Sequence, residues 1–193
     1  MTQRTQYSRK PKPEPKTTPM AKGPLLGLMA VFLLAMACMF LWTSCHAPAP
    51  VAIQSRPPVP AYTPQHIYSE TSIPATEIAA GLAQAKREHK RVILDFGGDW
   101  CGDCQVLDLY FHQAPNADLL QKNFVLVHVW IGHMDTNLAV AARYGVPIAK
   151  GVPALAVLAA DGRVLYAQAT GQFNDMRHMQ PTSVTEFLET WKS

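Results

Sequence analysis

Cys101 and Cys104 stand two residues apart in the run Trp100-Cys101-Gly102-Asp103-Cys104. Two thiols at that spacing can exchange electrons by closing and opening one disulfide, with the thiolate as the attacking species. The same C-x-x-C could be half of a zinc site, which would need a second pair of Cys or His ligands at similar spacing. The chain offers no such pair: Cys38 and Cys45 fall in or beside an apolar N-terminal run, and His46, His66, His89, His112, His128, His133 and His178 form no ligand-like pairs. Redox chemistry at a Cys101–Cys104 disulfide is therefore the leading reading, and it calls for no cofactor and no metal. The alternative is a chaperone that uses the same two thiolates to hold a soft ion such as copper(I). A purely structural staple is disfavoured, because a disulfide spanning four residues closes too small a loop to stabilise much.

A reactive thiol needs an element that presents it, and the flanking sequence supplies one. Val92-Ile93-Leu94-Asp95-Phe96 reads as a short buried strand, Gly97-Gly98 breaks it, and the cysteine motif opens a helix in which Cys104, Leu107 and Phe111 share a face. A helix N-terminus offers unpaired N–H groups and partial positive charge, which favour a thiolate. Before the strand, residues 74–90 read as a helix with a basic end. After the motif come a short helical turn over 116–122, an apolar strand over 124–131 expected to be buried on both faces, and a helix over 137–144. A hairpin follows, 154–160 and 163–169 around Asp161-Gly162, and the last helix is expected to start at a capping box, Ser183-x-x-Glu186. That order predicts an α/β domain over 66–193, with a central mixed sheet and helices on both faces.

The ordering and the motif together resemble the thioredoxin family over about 120 residues. Three separate positions carry the resemblance: Trp100 with Cys101 and Cys104, Asp95 six residues before Cys101, and Val152-Pro153 just before the hairpin. The tethered form is similar to membrane-anchored thioredoxin-like proteins of the bacterial envelope. The resemblance implies a thioredoxin-like fold and a thiol-disulfide oxidoreductase. It also implies that Asp95 is a buried carboxylate managing the proton of Cys104. Pro153 would be the cis-proline that presents the Val152 backbone to a substrate peptide, and Trp100 would shield the thiols. Two departures stand out: Gly102-Asp103 replaces the family's usual Gly-Pro, and Ala154 stands where Thr is common. A second Val-Pro pair, Val146-Pro147, competes for the cis-proline role, and Pro153 is preferred because the apolar strand starts immediately after it.

On this reading Cys101 attacks a substrate disulfide and Cys104 resolves the mixed disulfide. Asp99 and Asp103 flank the cysteines, and nearby carboxylates disfavour a thiolate, so the charge pattern predicts a reductant-type protein. The loop His133-Met134-Asp135 reads as solvated, and His128 as an ordinary strand histidine.

The N-terminal third sets where this chemistry happens. Residues 1–22 hold six basic side chains against Glu14, a net +5 within a chain of formal charge +3, so the rest is net negative and a nucleic-acid partner is excluded. Leu25 to Trp42 is eighteen residues without a charge, roughly 27 Å as a helix. A transmembrane anchor over 23–44 is the expected outcome, with a cleaved signal or a lipoprotein lipidated at Cys45 as alternatives. The basic tail stays in the cytoplasm under the positive-inside rule, which makes this a single-pass inner-membrane protein with a periplasmic C-terminal domain. Residues 45–65 are a proline-rich linker, able to reach roughly 60 Å, with Ile67 and Tyr68 at its end able to pack on the domain. The expected partners are disulfides of exported proteins and a membrane or periplasmic electron donor.

Overall fold

The computed structural model describes residues 57–193. The basic tail, the expected anchor, Cys38, Cys45 and most of the proline-rich linker lie outside the described residues. Among those described, no helix is long and apolar enough to cross a membrane.

The chain enters through an irregular segment over 57–73 and then forms α1 (Pro74–Glu88) and β1 (Arg91–Gly97). α2 (Gly102–Phe111), α3 (Asn116–Asn123), β2 (Phe124–Trp130) and α4 (Leu138–Arg143) follow. The remainder is β3 (Ala154–Leu158), β4 (Val164–Ala167) and α5 (Pro181–Trp191), with short 3₁₀ turns at Ile148–Lys150 and Met176–His178. The four strands form one mixed sheet in the order β2-β1-β3-β4. β1 pairs in parallel with β2 and antiparallel with β3, and β3 pairs antiparallel with β4.

Alternation along the central strand builds a core on each face. Val92, Leu94 and Phe96 pack with Ile78 and Ala85 of α1 and Ala141 of α4. Ile93 packs on the other face with Leu155 and Val157, against Leu107 and Phe111 of α2, Leu120 of α3 and Leu188 of α5. This is the α/β thioredoxin-like arrangement that the element order implies, with helices on both faces. α1 rests its backbone on β2 through Gly81, where a Cβ would come within 2.7 Å of Val127.

Several local expectations need correcting. α1 stops at Glu88 rather than at residue 90, because His89 turns into the left-handed region at φ 57°. β2 is an edge strand: Val125, Val127 and Val129 are buried, while Leu126, His128 and Trp130 are half-buried on the opposite face. α4 is shorter than expected, since Asn137 is left-handed, and the hairpin strands are shorter than 154–160 and 163–169. α5 begins at Pro181, two residues before Ser183, and its N-cap Gln180 makes no side-chain capping bond. A proline at the first helical position has its φ already set and lacks one of the N–H groups a cap would satisfy, so the Ser183–Glu186 box is not what starts the helix.

Candidate active site

The turn after β1 delivers Cys101 to the N-cap of α2, with φ −86° and ψ 107°. Its Sγ accepts a hydrogen bond from the Cys104 backbone N–H at 3.1 Å, and the two sulfurs form a disulfide. Cys101 keeps 6% of its surface exposed and Cys104 none, so Cys101 is the sulfur a partner can reach. The Val152–Pro153 peptide is cis, and the Val152 carbonyl oxygen lies 3.8 Å from Cys101 Sγ. The competing Val146–Pro147 bond is not cis. Residues 51 apart in sequence thus place the Cys101 sulfur beside the Val152 backbone carbonyl.

Asp95 is fully buried on β1. Its Oδ2 accepts a hydrogen bond from the Tyr68 hydroxyl at 2.6 Å and lies 3.0 Å from His128 Nδ1. The parallel register sets the second contact, because Asp95 and His128 are directly paired between β1 and β2. Asp95 Oδ1 has no hydrogen-bond partner. Behind His128, its Nε2 stands 3.9 Å from Asp108 on α2, and Asp108 in turn stands 3.3 Å from the exposed His112. Burial pulls the His128 ring towards neutrality, but the hydrogen bond and the charge of Asp95 outweigh it and hold its pKa above the ordinary histidine value. Burial pushes the Asp108 carboxyl up.

The segment before α1 is fastened to the same place. Gln105 of α2 accepts from the Gln65 backbone N–H and donates from its side-chain amide to the Gln65 carbonyl, each at 2.8 Å. Asp99 accepts from the backbone N–H groups of Ile67 and Tyr68 at 2.8 and 2.9 Å and pairs with the His66 ring. Burial alone would raise the Asp99 carboxyl, yet these donors hold it below the usual carboxylate range. Asp103 is buried too, and Arg177 satisfies it. Neither acid that flanks the cysteines is an unpartnered charge, so the charge pattern that predicted a reductant is offset by local donors.

Trp100 sits at the rim with 45% exposure, its indole N–H donating to the Gly132 carbonyl at 2.7 Å and its ring stacked on His133. Of the loop expected to be solvated, His133 therefore borders the site.

Of the residues singled out in the sequence, the structure brings Cys101, Cys104, Val152 and Pro153 together, and Asp95 adjoins the same neighbourhood through its bond to Tyr68. Tyr68, His128, Asp108 and Arg177 complete the surroundings and were not assigned roles from the sequence. The single histidine of an apolar strand parallel to β1 was the available signal for His128. Arg177 had none. Among the described residues, no group of three or more His, Cys, Asp or Glu could hold a metal ion.

Comparison with known proteins agrees with this geometry. A family model described as thioredoxin-like matches residues 74–160. The thiol:disulfide interchange protein DsbD of Vibrio cholerae is 36% identical over 52 residues, 27% of this chain and 9% of that protein. Thioredoxin-3 of Dictyostelium discoideum is 33% identical over 60 residues, 31% of this chain and 55% of that protein. The chain thus spans less than two thirds of the length of either curated relative. Among solved structures, a disulphide isomerase from Xylella fastidiosa Temecula1 is 34% identical with a TM-score of 0.62, covering 65% of this chain and 96% of that one. With the paired cysteines at a helix N-cap beside a cis-proline, and with a relative matched over nearly its whole length, the chain belongs to the thioredoxin-like family.

Proposed function

We propose that this chain is a thiol-disulfide oxidoreductase of the cell envelope, which reduces or exchanges disulfides of exported proteins through Cys101 and Cys104. The observation that carries the reading is the disulfide at the N-cap of α2, with Cys101 Sγ 3.8 Å from the carbonyl oxygen of Val152. In the reduced state the helix N-terminus favours the Cys101 thiolate, which attacks one sulfur of a substrate disulfide and expels the other as a thiolate. The Val152 backbone, held by cis-Pro153, lies where an extended substrate segment would run past the reacting sulfur. Cys104 then attacks Cys101 Sγ, the internal disulfide closes, and the substrate leaves with both sulfurs reduced. Asp95 is the base for Cys104, and Trp100 forms one wall of the approach.

The envelope location rests on the uncharged run 25–42 behind a basic tail. A transmembrane helix over 23–44 would hold the domain on the periplasmic side of the inner membrane, and residues 45–65 would be its tether. Each turnover leaves the dithiol oxidised, so an electron donor in the membrane or periplasm must restore it.

Replacing Cys104 with Ser in the full chain tests the reading. The variant should accumulate mixed disulfides through Cys101 with exported proteins, identifiable by mass spectrometry after non-reducing purification. If no adducts form and copper co-purifies instead, the metal-holding alternative takes its place. Titration of the wild-type pair against glutathione gives the direction, a potential well below that of the glutathione pool marking a reductant.

A further inference from the structure

Tyr68 belongs to the irregular segment before α1, yet it is among the largest fully buried side chains of the domain. Its hydroxyl donates to Asp95 Oδ2 at 2.6 Å. A Cβ placed on Gly97 would lie 2.6 Å from that hydroxyl and 2.8 Å from Cys104 Sγ. The hydroxyl and the buried sulfur therefore both border the same point beside Gly97, and the hydroxyl is also hydrogen-bonded to the carboxylate. A thiol that must lose its proton, an amphoteric hydroxyl and a carboxylate thus share one neighbourhood, with no solvent access at Tyr68, Asp95 or Cys104.

We propose that the Tyr68 hydroxyl is the proton bridge between Cys104 and Asp95. The inference rests on the dithiol-exchange reading above and assigns one step within it. As Cys104 attacks the mixed disulfide, its S–H proton passes to Tyr68 Oη while Tyr68 gives its own proton to Asp95 Oδ2. The Cys104 sulfur forms a bond to Cys101 Sγ, the bond between Cys101 and the substrate sulfur breaks, and the substrate thiolate takes a proton from solvent. The two electrons gained by the substrate are those lost in forming Cys101–Cys104. When a donor thiol re-reduces the pair, the same path returns the proton to Cys104. A bridging hydroxyl has to stay protonated, and burial together with the neighbouring Asp95 charge holds Tyr68 well above the ordinary tyrosine pKa. The charged and titratable groups facing this path are His128 from β2, Asp108 from α2 and Asp99 from the turn after β1.

The test uses the reduced full-length chain carrying Cys38→Ser and Cys45→Ser, mixed with one equivalent of dithiobis(nitrobenzoate). Attack by Cys101 releases one coloured thiolate, and resolution by Cys104 releases the second. Tyr68→Phe keeps the ring and removes the bridge. At neutral pH the first release should stay within about twofold of wild type, while the second slows about tenfold or more, on the scale of lost proton-transfer catalysis. Raising the pH should restore the second release, because solvent then deprotonates Cys104. A Tyr68→Phe, Asp95→Asn double variant should resolve no more slowly than Asp95→Asn alone, since the two residues act in series. A second measurement needs no change at Tyr68: in deuterium oxide the second release should slow and the first should not. An unchanged second release in Tyr68→Phe, equal slowing of both releases, or no isotope effect on the second would overturn the bridge while leaving the exchange reading intact. A chain that releases no coloured thiolate would overturn both.

Discussion

Asp103 and Arg177, 74 residues apart, are joined twice: the carboxylate accepts from the Arg177 backbone N–H at 2.9 Å and from its guanidinium at 3.1 Å. The pair spans from the first turn of α2, between the two cysteines, to the 3₁₀ turn before α5. Arg177 also lines Gly102, where a Cβ would meet its Cδ at 3.3 Å and the Tyr62 hydroxyl at 2.9 Å.

Arg177→Ala should therefore remove the guanidinium from a buried carboxylate beside the sulfurs and leave it only the backbone N–H. A negative charge that has lost its cation disfavours thiolate and favours the disulfide, so the midpoint against glutathione should become more negative by about 10–30 mV. Stability in urea should fall by about 1–2 kcal/mol. Asp103→Asn, which removes the acid and leaves the cation, should shift the midpoint in the opposite direction.

His128 makes a pH-dependent contribution to stability. Its pKa is raised in the folded chain, so the stability it confers is fully present below the unfolded value near 6.5 and is lost as pH rises through the raised folded value. Urea unfolding of wild type and His128→Gln at several pH values would show it. The wild-type advantage should be largest below about pH 6.5 and shrink as the solution becomes alkaline.

Gly97 has no room for a side chain. Gly97→Ala would drive a methyl against the Tyr68 hydroxyl and Cys104 Sγ, both in buried and tightly held positions. The expected loss is about 1–3 kcal/mol, measured by chemical denaturation, the ordinary scale of overpacking. The rate of closing Cys101–Cys104 should fall with it.

Gln105→Ala should release the segment before α1 without unfolding the domain. Two hydrogen bonds to Gln65 disappear, and amide exchange at Gln65 should accelerate about tenfold, the equivalent of one net hydrogen bond. Exchange at β1 amides such as Leu94 should change far less.

The parts legible in the sequence are those written in local signals. A short apolar run ended by Gly97-Gly98 announced β1, the two cysteines announced the start of α2, and Asp161-Gly162 announced the hairpin. Position along the sheet left no such trace: β2 carries the same branched residues as a strand covered on both faces, yet it lies at the edge. At α5 two start signals competed, and the fixed φ of Pro181 prevailed over the Ser183 box. The surroundings of the dithiol were hidden for another reason. Tyr68 reaches Asp95 across 27 residues and Arg177 reaches Asp103 across 74, so only the folded chain brings either pair together.

The span shared with the thioredoxin-like family, residues 74–160, contains both cysteines, Asp95 and Pro153, but neither Tyr68 nor Arg177. The segment before α1 and the turn before α5 touch the dithiol's surroundings from opposite ends of the chain. A fragment cut at the family boundaries would keep Cys101 and Cys104 and lose the two side chains that contact Asp95 and Asp103 from outside it. Exchanging only these flanks should thus change the surroundings of the dithiol without altering one residue of the matched span.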